Sequence, residues 1–217
     1  MNTQNKFFKS SHLGKITILL LLLPLSYFAI YPSVLYFLYT PKEADIVFQS
    51  LSRSSDLVRA IEGVTQSEYS HCGVVLLEND KWVVIEALGT VIKTPLFKWL
   101  ARGRGHRMDV FRLKSEYHEN ISNFKASLNQ YLGRPYDFRY RLDDEKIYCS
   151  ELPYKAYLSC TGVELAKLEE LNTLNWKPYV KTIEKYEHGK IPLNRKMITP
   201  INLSQSDYLE PVIKLGF

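Results

Sequence analysis

The sequence predicts an α+β domain that follows an apolar N-terminal segment. Strand-like runs fill much of the stretch from Asp45 to Leu113, whereas apolar residues recur at helical spacing in the second half of the chain. The 217 residues suit one domain with a short appendage rather than two large domains. Apolar residues make up 46% and charged residues 24% of the chain, which excludes a disordered or low-complexity protein.

The N-terminal segment has the composition of a membrane-spanning helix. Residues 16–39 carry no formal charge, and a helix of that length spans a hydrocarbon core of about 30 Å. A cleaved secretory signal is the alternative, because basic residues precede the apolar run. Those lysines favour a cytoplasmic N-terminus. We therefore expect residues 1–40 to be an anchor or uncleaved signal of a single-pass membrane protein, and residues 41–217 to form an extracytoplasmic domain.

Charge and cysteine content exclude several function classes. Part of the formal net charge of +5 comes from Lys6, Lys9 and Lys15, ahead of the first acidic residue, so the domain itself lacks the basic surface of a nucleic-acid-binding protein. The three cysteines are too few for a disulfide scaffold, and none has the CxxC spacing of a zinc or thioredoxin-type site. We expect no nucleic-acid partner and no metal.

The strand and helix predictions rest on residue type and spacing. Runs of β-branched and aromatic residues predict strands, and apolar residues that recur every three or four positions predict helices. Capping residues and Gly or Pro mark the helix ends. The predicted strands are 45–49, 71–77, 82–88 and 110–113, and the predicted helices are 57–61, 96–100, 117–131, 152–158 and 178–187.

Three local patterns add predictions. Thr94 and Pro95 are predicted as the N-cap and first residue of the helix at 96–100. Arginines interleaved with glycines are predicted to form a solvated basic loop, although such a loop would also suit lipid phosphates. Five aromatic residues are predicted to serve in packing. The arginines are Arg102, Arg104 and Arg107, and the aromatic residues are Tyr131, Tyr136, Phe138, Tyr140 and Tyr148.

A predicted hairpin places a histidine near a carboxylate. A two-residue or a four-residue loop around Asn79 and Asp80 pairs Gly73 with Glu86. Strand side chains alternate between faces, so His71 and Glu86 become diagonal neighbours on one face, within reach of each other. A three-residue loop would put them on opposite faces. The hairpin alone favours the alternative interpretation, in which His71 is a histidine at a strand end and Glu86 a solvated carboxylate at the sheet edge, without a shared function.

Cys149 precedes a predicted helix, so we expect it in the first turn. The partial positive charge there stabilises a thiolate, although a buried structural cysteine is the alternative for this residue alone. A thiol nucleophile needs a base, and the base needs an orienting group; Cys149, His71 and Glu86 supply these three chemistries. Cys72 is expected to face the core, away from His71, and Cys160 to be a core or surface thiol.

Six short strings carry a resemblance to a known family. They are, in chain order, Asp45–Gln49, Ser70–Val75, Ile85–Ala87, Thr94–Leu96, Gly133–Asp137 and Tyr148–Leu152. Their order and spacing resemble the YiiX-like, circularly permuted members of the NlpC-type papain-like cysteine hydrolases, over most of residues 44–160. Ala44, Cys72 and Pro153 depart from the usual pattern, and Pro153 bears on the geometry of the helix that follows Cys149.

The resemblance implies a fold, a chemistry and roles for three residues. The fold would be permuted and papain-like, with an antiparallel sheet and packed helices. Cys149 would be the nucleophile, His71 the base and Glu86 its orienter, and no metal or organic cofactor would be required. The protein would cleave an amide or ester bond of a cell-wall peptide or a lipid-linked acyl group through a thioester. An acyltransferase of lecithin retinol acyltransferase type and a non-catalytic membrane-bound binding module are the alternatives.

Overall fold

The computed structural model of the protein describes residues 30–216. The chain divides into two units, with the boundary between Tyr39 and Thr40. In the first unit, residues 30–38 are helical. Over the described part of the chain, no helix combines the length and the apolar character needed to cross a membrane. Residues 16–29 of the predicted span lie outside the described residues, so the membrane anchor stays a prediction.

The second unit is built on a six-stranded sheet. Its strand order is β4-β3-β2-β1-β5-β8, and every neighbouring pair is antiparallel. The strands are β1 (Ile46–Gln49), β2 (His71–Glu78), β3 (Lys81–Leu88), β4 (Thr90–Pro95), β5 (Met108–Leu113) and β8 (Leu209–Leu215), while β6 (Glu169–Glu170) and β7 (Lys196–Met197) form a separate pair. The predicted α+β class with an antiparallel sheet is confirmed.

Six helices accompany this sheet among the described residues of the second unit. They are α1 (Asp56–Val64), α2 (Leu96–Arg102), α3 (Ile121–Asn129), α4 (Glu151–Thr161), α5 (Val180–Glu187) and α6 (Pro200–Ser204). The helix predicted over 117–131 divides into a 3₁₀ segment, Ser115–Asn120, and α3. Phe124 of α3 packs edge-on against Tyr157 of α4, with ring centroids 5.5 Å apart. Both rings belong to the main hydrophobic core.

The β2–β3 hairpin has the predicted register. Glu78 pairs with Lys81, so a two-residue loop joins the strands. Asn79 and Asp80 in that loop have φ values of 47° and 59°, the combination that a type I′ turn requires. The strands approach closely at Gly73, where a Cβ atom would lie only 2.9 Å from a backbone oxygen of β3. The register therefore puts His71 and Glu86 on one face of the sheet.

The local prediction for Thr94 and Pro95 is wrong. Both residues belong to β4, and α2 begins at Leu96. Thr94 pairs with Val84 of β3 in the antiparallel ladder, and its hydroxyl bonds to Glu86 rather than to the helix. The ladder wins because it satisfies several backbone groups at once, whereas a cap satisfies one.

The predicted solvated arginine loop is also wrong. Its three arginines bind four carboxylates, and three of these carboxylates are almost fully buried. The pairs are Arg102 with Glu86, Arg104 with Glu62, and Arg107 with Glu68 and Asp109. Partners that lie far away in sequence are invisible to a local reading of the loop, which sees only glycines and positive charges.

Candidate active site

Cys149 lies immediately before the helix α4. The helix begins at Glu151 with Ser150 as its N-cap residue, so Cys149 precedes the first turn in which it was predicted. Hydrogen bonds on both sides hold this segment: Ser150 Oγ donates to the carbonyl of Ile198 at 2.9 Å, and the Ile198 N–H donates to the Tyr148 hydroxyl at 3.0 Å. The thiol is therefore fixed at the positive end of a helix.

Pro153 does not disturb this helix start. It is the third residue of α4, which continues unbroken to Thr161. The first four N–H groups of a helix have no partner within the helix, so a missing donor costs little there. The departure from the family pattern at this position leaves the helix geometry intact.

His71 and Glu86 form a direct contact. The His71 Nε2 atom lies 2.5 Å from Glu86 Oε2, and the side chains are 2% and 0% exposed, respectively. Because Nε2 faces the carboxylate, Nδ1 is the ring nitrogen that remains for Cys149. His71 is the first residue of β2, so its ring lies at the strand end, where it interacts with the Cys149 thiol.

Neighbouring groups favour a thiolate at Cys149. A hydrogen bond from the Cys72 thiol lowers the pKa of Cys149, burial raises it, and His71 lowers it further, with a net result well below the usual value. Burial by itself would lower the pKa of His71, but contacts with Cys149 and Glu86 raise it to about 9. Both shifts favour an ion pair between a Cys149 thiolate and a His71 imidazolium at neutral pH.

Cys72 combines an expected position with an unexpected contact. It is fully buried in the main core together with Cys149, as expected for a core residue of β2. Its thiol hydrogen-bonds Cys149, and burial together with Cys149 raises the pKa of Cys72 well above its usual value. Cys72 therefore keeps its proton and donates to the neighbouring sulfur. The strand pattern predicted that Cys72 is a core residue, but it did not predict the contact between the two thiols.

Glu86 accepts hydrogen bonds from three more side chains. Thr94 Oγ1 donates at 2.5 Å and Trp99 Nε1 at 3.1 Å. Arg102 donates through Nη1 to Oε1 at 3.1 Å and through Nη2 to Oε2 at 2.6 Å. Burial alone would raise the pKa of Glu86, but His71 and Arg102 outweigh it and lower the pKa to about 2. The carboxylate is therefore a permanent anion at neutral pH.

Trp99 also contacts the imidazole. Its ring stacks on His71 with centroids 6.2 Å apart and an interplanar angle of 29°. Trp99 and Arg102 lie three residues apart on α2, so both point to the same side of that helix. None of Trp99, Arg102 and Thr94 was among the site residues predicted from the sequence. The i,i+3 spacing was the available signal, but nothing in it says that α2 packs beside Glu86.

Two tyrosines adjoin the Cys149 sulfur. The hydroxyls of Tyr136 and Tyr140 lie 3.1 Å apart, and Tyr136 also hydrogen-bonds Cys149. Burial, Tyr140 and Cys149 raise the pKa of Tyr136 well above its usual value, so its hydroxyl keeps the proton. These rings do pack, as predicted, but Tyr136 also supplies a hydrogen-bond donor next to the thiol.

Gln49 is a buried amide beside the imidazole. It pairs with His71 across β1 and β2 and is fully buried. Its side-chain nitrogen and oxygen make no hydrogen bond to any described residue. Because buried polar groups in native proteins usually have a partner, this amide is suited to bind a substrate group or water.

An apolar cavity is lined in part by Tyr140. It encloses about 670 Å³, its open mouth included. The remaining wall comes mainly from α1, α5 and the segments around residues 139, 172 and 198. Its apolar lining residues include Leu57, Ala60, Ile61, Val64, Phe138, Leu174, Ile183 and Met197. Through Tyr140 and Tyr136, this cavity is two side chains away from the thiol.

Among residues 30–216, no three His, Cys, Asp or Glu side chains are grouped so that they could hold a metal ion. The side chains of the candidate site can support nucleophilic chemistry, because they join a thiol, an imidazole and a carboxylate in series.

Known proteins of one family are similar to this chain in sequence and in fold. Residues 40–213 match the family described as permuted papain-like amidase enzyme, YaeF/YiiX, C92 family. The chain is 34% identical over 185 residues to the uncharacterized protein YiiX of Escherichia coli strain K12, covering 84% of this chain and 91% of that protein. The crystal structure titled as that of metalloprotein yiiX from Escherichia coli O157:H7 superposes with a TM-score of 0.75 at 32% identity, covering 82% of this chain and all of that one.

Proposed function

Because the chain belongs to the permuted papain-like amidase family, we propose that it is a cysteine hydrolase that cleaves an amide or ester bond through a thioester. The observation that carries the proposal is the buried series of contacts from Cys149 through His71 to Glu86. Each member has the ionisation state that nucleophilic catalysis needs: a thiolate, an imidazolium and a carboxylate.

The proposed reaction uses these groups in turn. The Cys149 thiolate attacks the substrate carbonyl carbon, and the C=O electron pair moves onto oxygen to give a tetrahedral oxyanion. The Cys149 N–H at the start of α4 and the Tyr136 hydroxyl are donors beside the sulfur, suited to stabilise that charge. The imidazolium of His71 gives its proton to the leaving amine or alcohol, and a thioester forms. His71 then takes a proton from water, which attacks the thioester and restores the thiolate.

The apolar cavity supports an acyl group as the apolar part of the substrate. A cell-wall peptide is rich in polar amides that an apolar wall cannot satisfy, whereas an alkyl chain gains about 0.8 kcal/mol for each buried methylene. The cavity approaches the thiol through Tyr140 and Tyr136. Of the two substrate classes that the family resemblance implies, this favours the lipid-linked acyl group. No step of the proposal uses a metal ion.

Hydrolysis of acyl p-nitrophenyl esters and acyl anilides of increasing chain length by the full-length protein tests the proposal. We expect turnover that rises with chain length and that disappears in Cys149→Ala, while Cys160→Ala behaves as wild type. If the Cys149→Ala protein turns over these substrates as fast as the wild type, the proposed role of the thiol is refuted. Mass spectrometry of products formed with and without an added amine identifies transfer to the amine in place of hydrolysis.

The N-terminal segment bears on where such a substrate is met. We propose that the uncharged residues 16–39 hold the enzyme at a membrane, where lipid-linked acyl groups are concentrated. Alkaline extraction of membranes from expressing cells tests this: the full-length protein is expected in the membrane pellet. Complete release of the protein into the supernatant would contradict the membrane anchor but would leave the proposed hydrolase reaction unaffected.

A further inference from the structure

We propose that Arg102 is a positioning residue of the candidate site: it clamps Glu86 as an oriented anion, and Glu86 in turn fixes the His71 ring toward Cys149. The inference rests on the proposed roles of these three residues and adds one that the sequence did not indicate. The contacts that define this role are those of Arg102 with Glu86. In this proposal its effect on His71 is transmitted through Glu86.

The geometry of the clamp constrains the carboxylate in two directions. Arg102 is the last residue of α2, and its two Nη atoms each bind a different oxygen of Glu86, at 3.1 Å and 2.6 Å. A bidentate pair fixes both the position and the plane of a carboxylate, which a single point charge cannot do. The plane matters because one of these oxygens, Oε2, also contacts His71.

Arg102 is the permanent cation of this arrangement. The titratable or charged groups that face Glu86 are His71 and Cys72 from β2 and Arg102 from α2. The other contacts, Thr94 from β4 and Trp99 from α2, are neutral. Without the guanidinium, a fully buried carboxylate would depend on the imidazolium for its compensating charge, and burial would raise its pKa.

A purely structural role is the competing explanation, because the clamp also ties α2 to the sheet. However, α2 has a second attachment: Leu96, Trp99 and Leu100 are buried, and Trp99 donates to Glu86 independently. Loss of the guanidinium should therefore leave α2 in place. The two explanations differ in the pH dependence that they predict.

Three variants test the inference. Arg102→Met keeps most of the side chain and removes the charge, Arg102→Lys keeps the charge and removes the fork, and Lys98→Met removes an exposed charge from the same helix as a control. For Arg102→Met we expect a fall in kcat of about 10- to 100-fold with KM changed less than about threefold. Since Glu86 then protonates at higher pH, the acid limb of kcat/KM should move up by about one pH unit or more.

The other two variants should separate orientation from charge. Arg102→Lys should lose less activity, about 3- to 10-fold, and keep its acid limb near that of wild type. Lys98→Met should match wild type in both respects. If Arg102→Met folds and the acid limb of its kcat/KM profile does not move, the inference is overturned. It is also overturned if Arg102→Lys loses as much activity as Arg102→Met and its acid limb moves as far. If Arg102→Met does not fold, the Lys variant alone decides: a shifted acid limb there would refute the proposal.

A readout without substrate separates this inference from the proposed function. The rate of Cys149 alkylation by iodoacetamide reports the thiolate, and its fall at low pH should begin at higher pH in Arg102→Met than in wild type. If this shift occurs in a protein with no hydrolase activity, Arg102 positions the site and the hydrolase proposal fails. If activity is present but neither profile responds to Arg102, the inference fails and the hydrolase proposal stands.

Discussion

Two glutamates of this protein are equally buried and ionise in opposite ways. Glu86 and Glu151 are both 0% exposed. Four side chains, including a guanidinium, hydrogen-bond Glu86, and its pKa falls to about 2. Burial and, to a smaller extent, Asp137 raise the pKa of Glu151 to about 8, although Lys155 and the Tyr148 N–H oppose that rise. The difference shows that donors and charges, rather than burial, decide which buried carboxyl group can serve as an anion.

The contrast is useful to the candidate site. Glu151 is two residues from Cys149, where a negative charge would oppose the thiolate, and its raised pKa keeps it mostly protonated at neutral pH. Glu86 carries its charge on the far side of His71, where the charge stabilises the imidazolium. Each carboxyl group is therefore in the state that suits its distance from the sulfur.

Substitution of each glutamate by glutamine gives the largest expected difference. Glu86→Gln removes the anion that orients His71, and we expect kcat to fall by about 10²- to 10⁴-fold. Glu151→Gln keeps an oxygen that can accept from the Tyr148 N–H, so its kcat should stay within about threefold of wild type. Steady-state kinetics on one acyl ester compares the two proteins. If kcat falls by a similar factor in Glu86→Gln and Glu151→Gln, the two glutamates do not differ in function as we expect.

The ionisation of the thiol is the next largest effect. The pKa of Cys149 is well below its usual value, whereas burial raises that of Cys160, at the other end of α4. Lowering the pH from about 8 to about 6 should therefore slow alkylation of Cys160 by about 100-fold and leave that of Cys149 nearly constant. Peptide mapping by mass spectrometry measures both sites in one sample. Parallel pH profiles for the two thiols would contradict the thiolate assignment.

The pH dependence of stability distinguishes the carboxyl groups directly. A pKa raised from 4.5 to about 8 in the folded state means that Glu151 destabilises the fold increasingly as pH rises between those values. Glu151→Gln should therefore add about 1 to 3 kcal/mol to the free energy of unfolding at pH 8 and almost nothing at pH 4. Urea unfolding at both pH values measures this. A gain that is larger at pH 4 would reverse the assigned shift.

The smallest expected effect concerns one hydrogen bond to Glu86. Thr94→Val keeps the shape of the side chain and removes the hydroxyl that donates to Oε1. Because Trp99 and Arg102 remain, kcat should fall by only about 3- to 10-fold. Thr90→Val, at the other end of β4, is the control and should match wild type. If kcat falls in Thr94→Val as much as in Glu86→Gln, the Thr94 hydroxyl is essential and the other donors to Glu86 do not compensate for its loss.

Local sequence patterns predicted the parts of the fold that depend on local physics. The Asn79–Asp80 turn fixes the register of β2 and β3 through its backbone conformation, so the relation of His71 to Glu86 followed from the loop length. The pairing of β8 with β5 did not follow, because the two strands are about a hundred residues apart in sequence and no local signal joins them. The division of the 117–131 helix was missed for a similar reason: its apolar spacing continues through both parts.

The residues of the candidate site also differ in how far the sequence could predict them. Cys149, His71 and Glu86 could be proposed from residue type, hairpin register and the family resemblance, and the structure brings them together. Thr94, Trp99 and Arg102 could not, because their role depends on the placement of β4 and α2 beside the carboxylate. Thr94 was misread as a cap and Arg102 as a solvated charge. Both errors came from interpreting a residue by its sequence neighbours when its partner lies elsewhere.

The two arginines around Gly103 impose a constraint on chain length. Arg102 binds Glu86 on the sheet and Arg104 binds Glu62 on α1. The residue between them has little room, since a Cβ at Gly103 would lie 2.7 Å from the Arg107 carbonyl oxygen. An insertion or deletion at this point would break one ion pair to preserve the other. In relatives that keep both pairs, we therefore expect loop length to vary at other places and to be invariant between these two arginines.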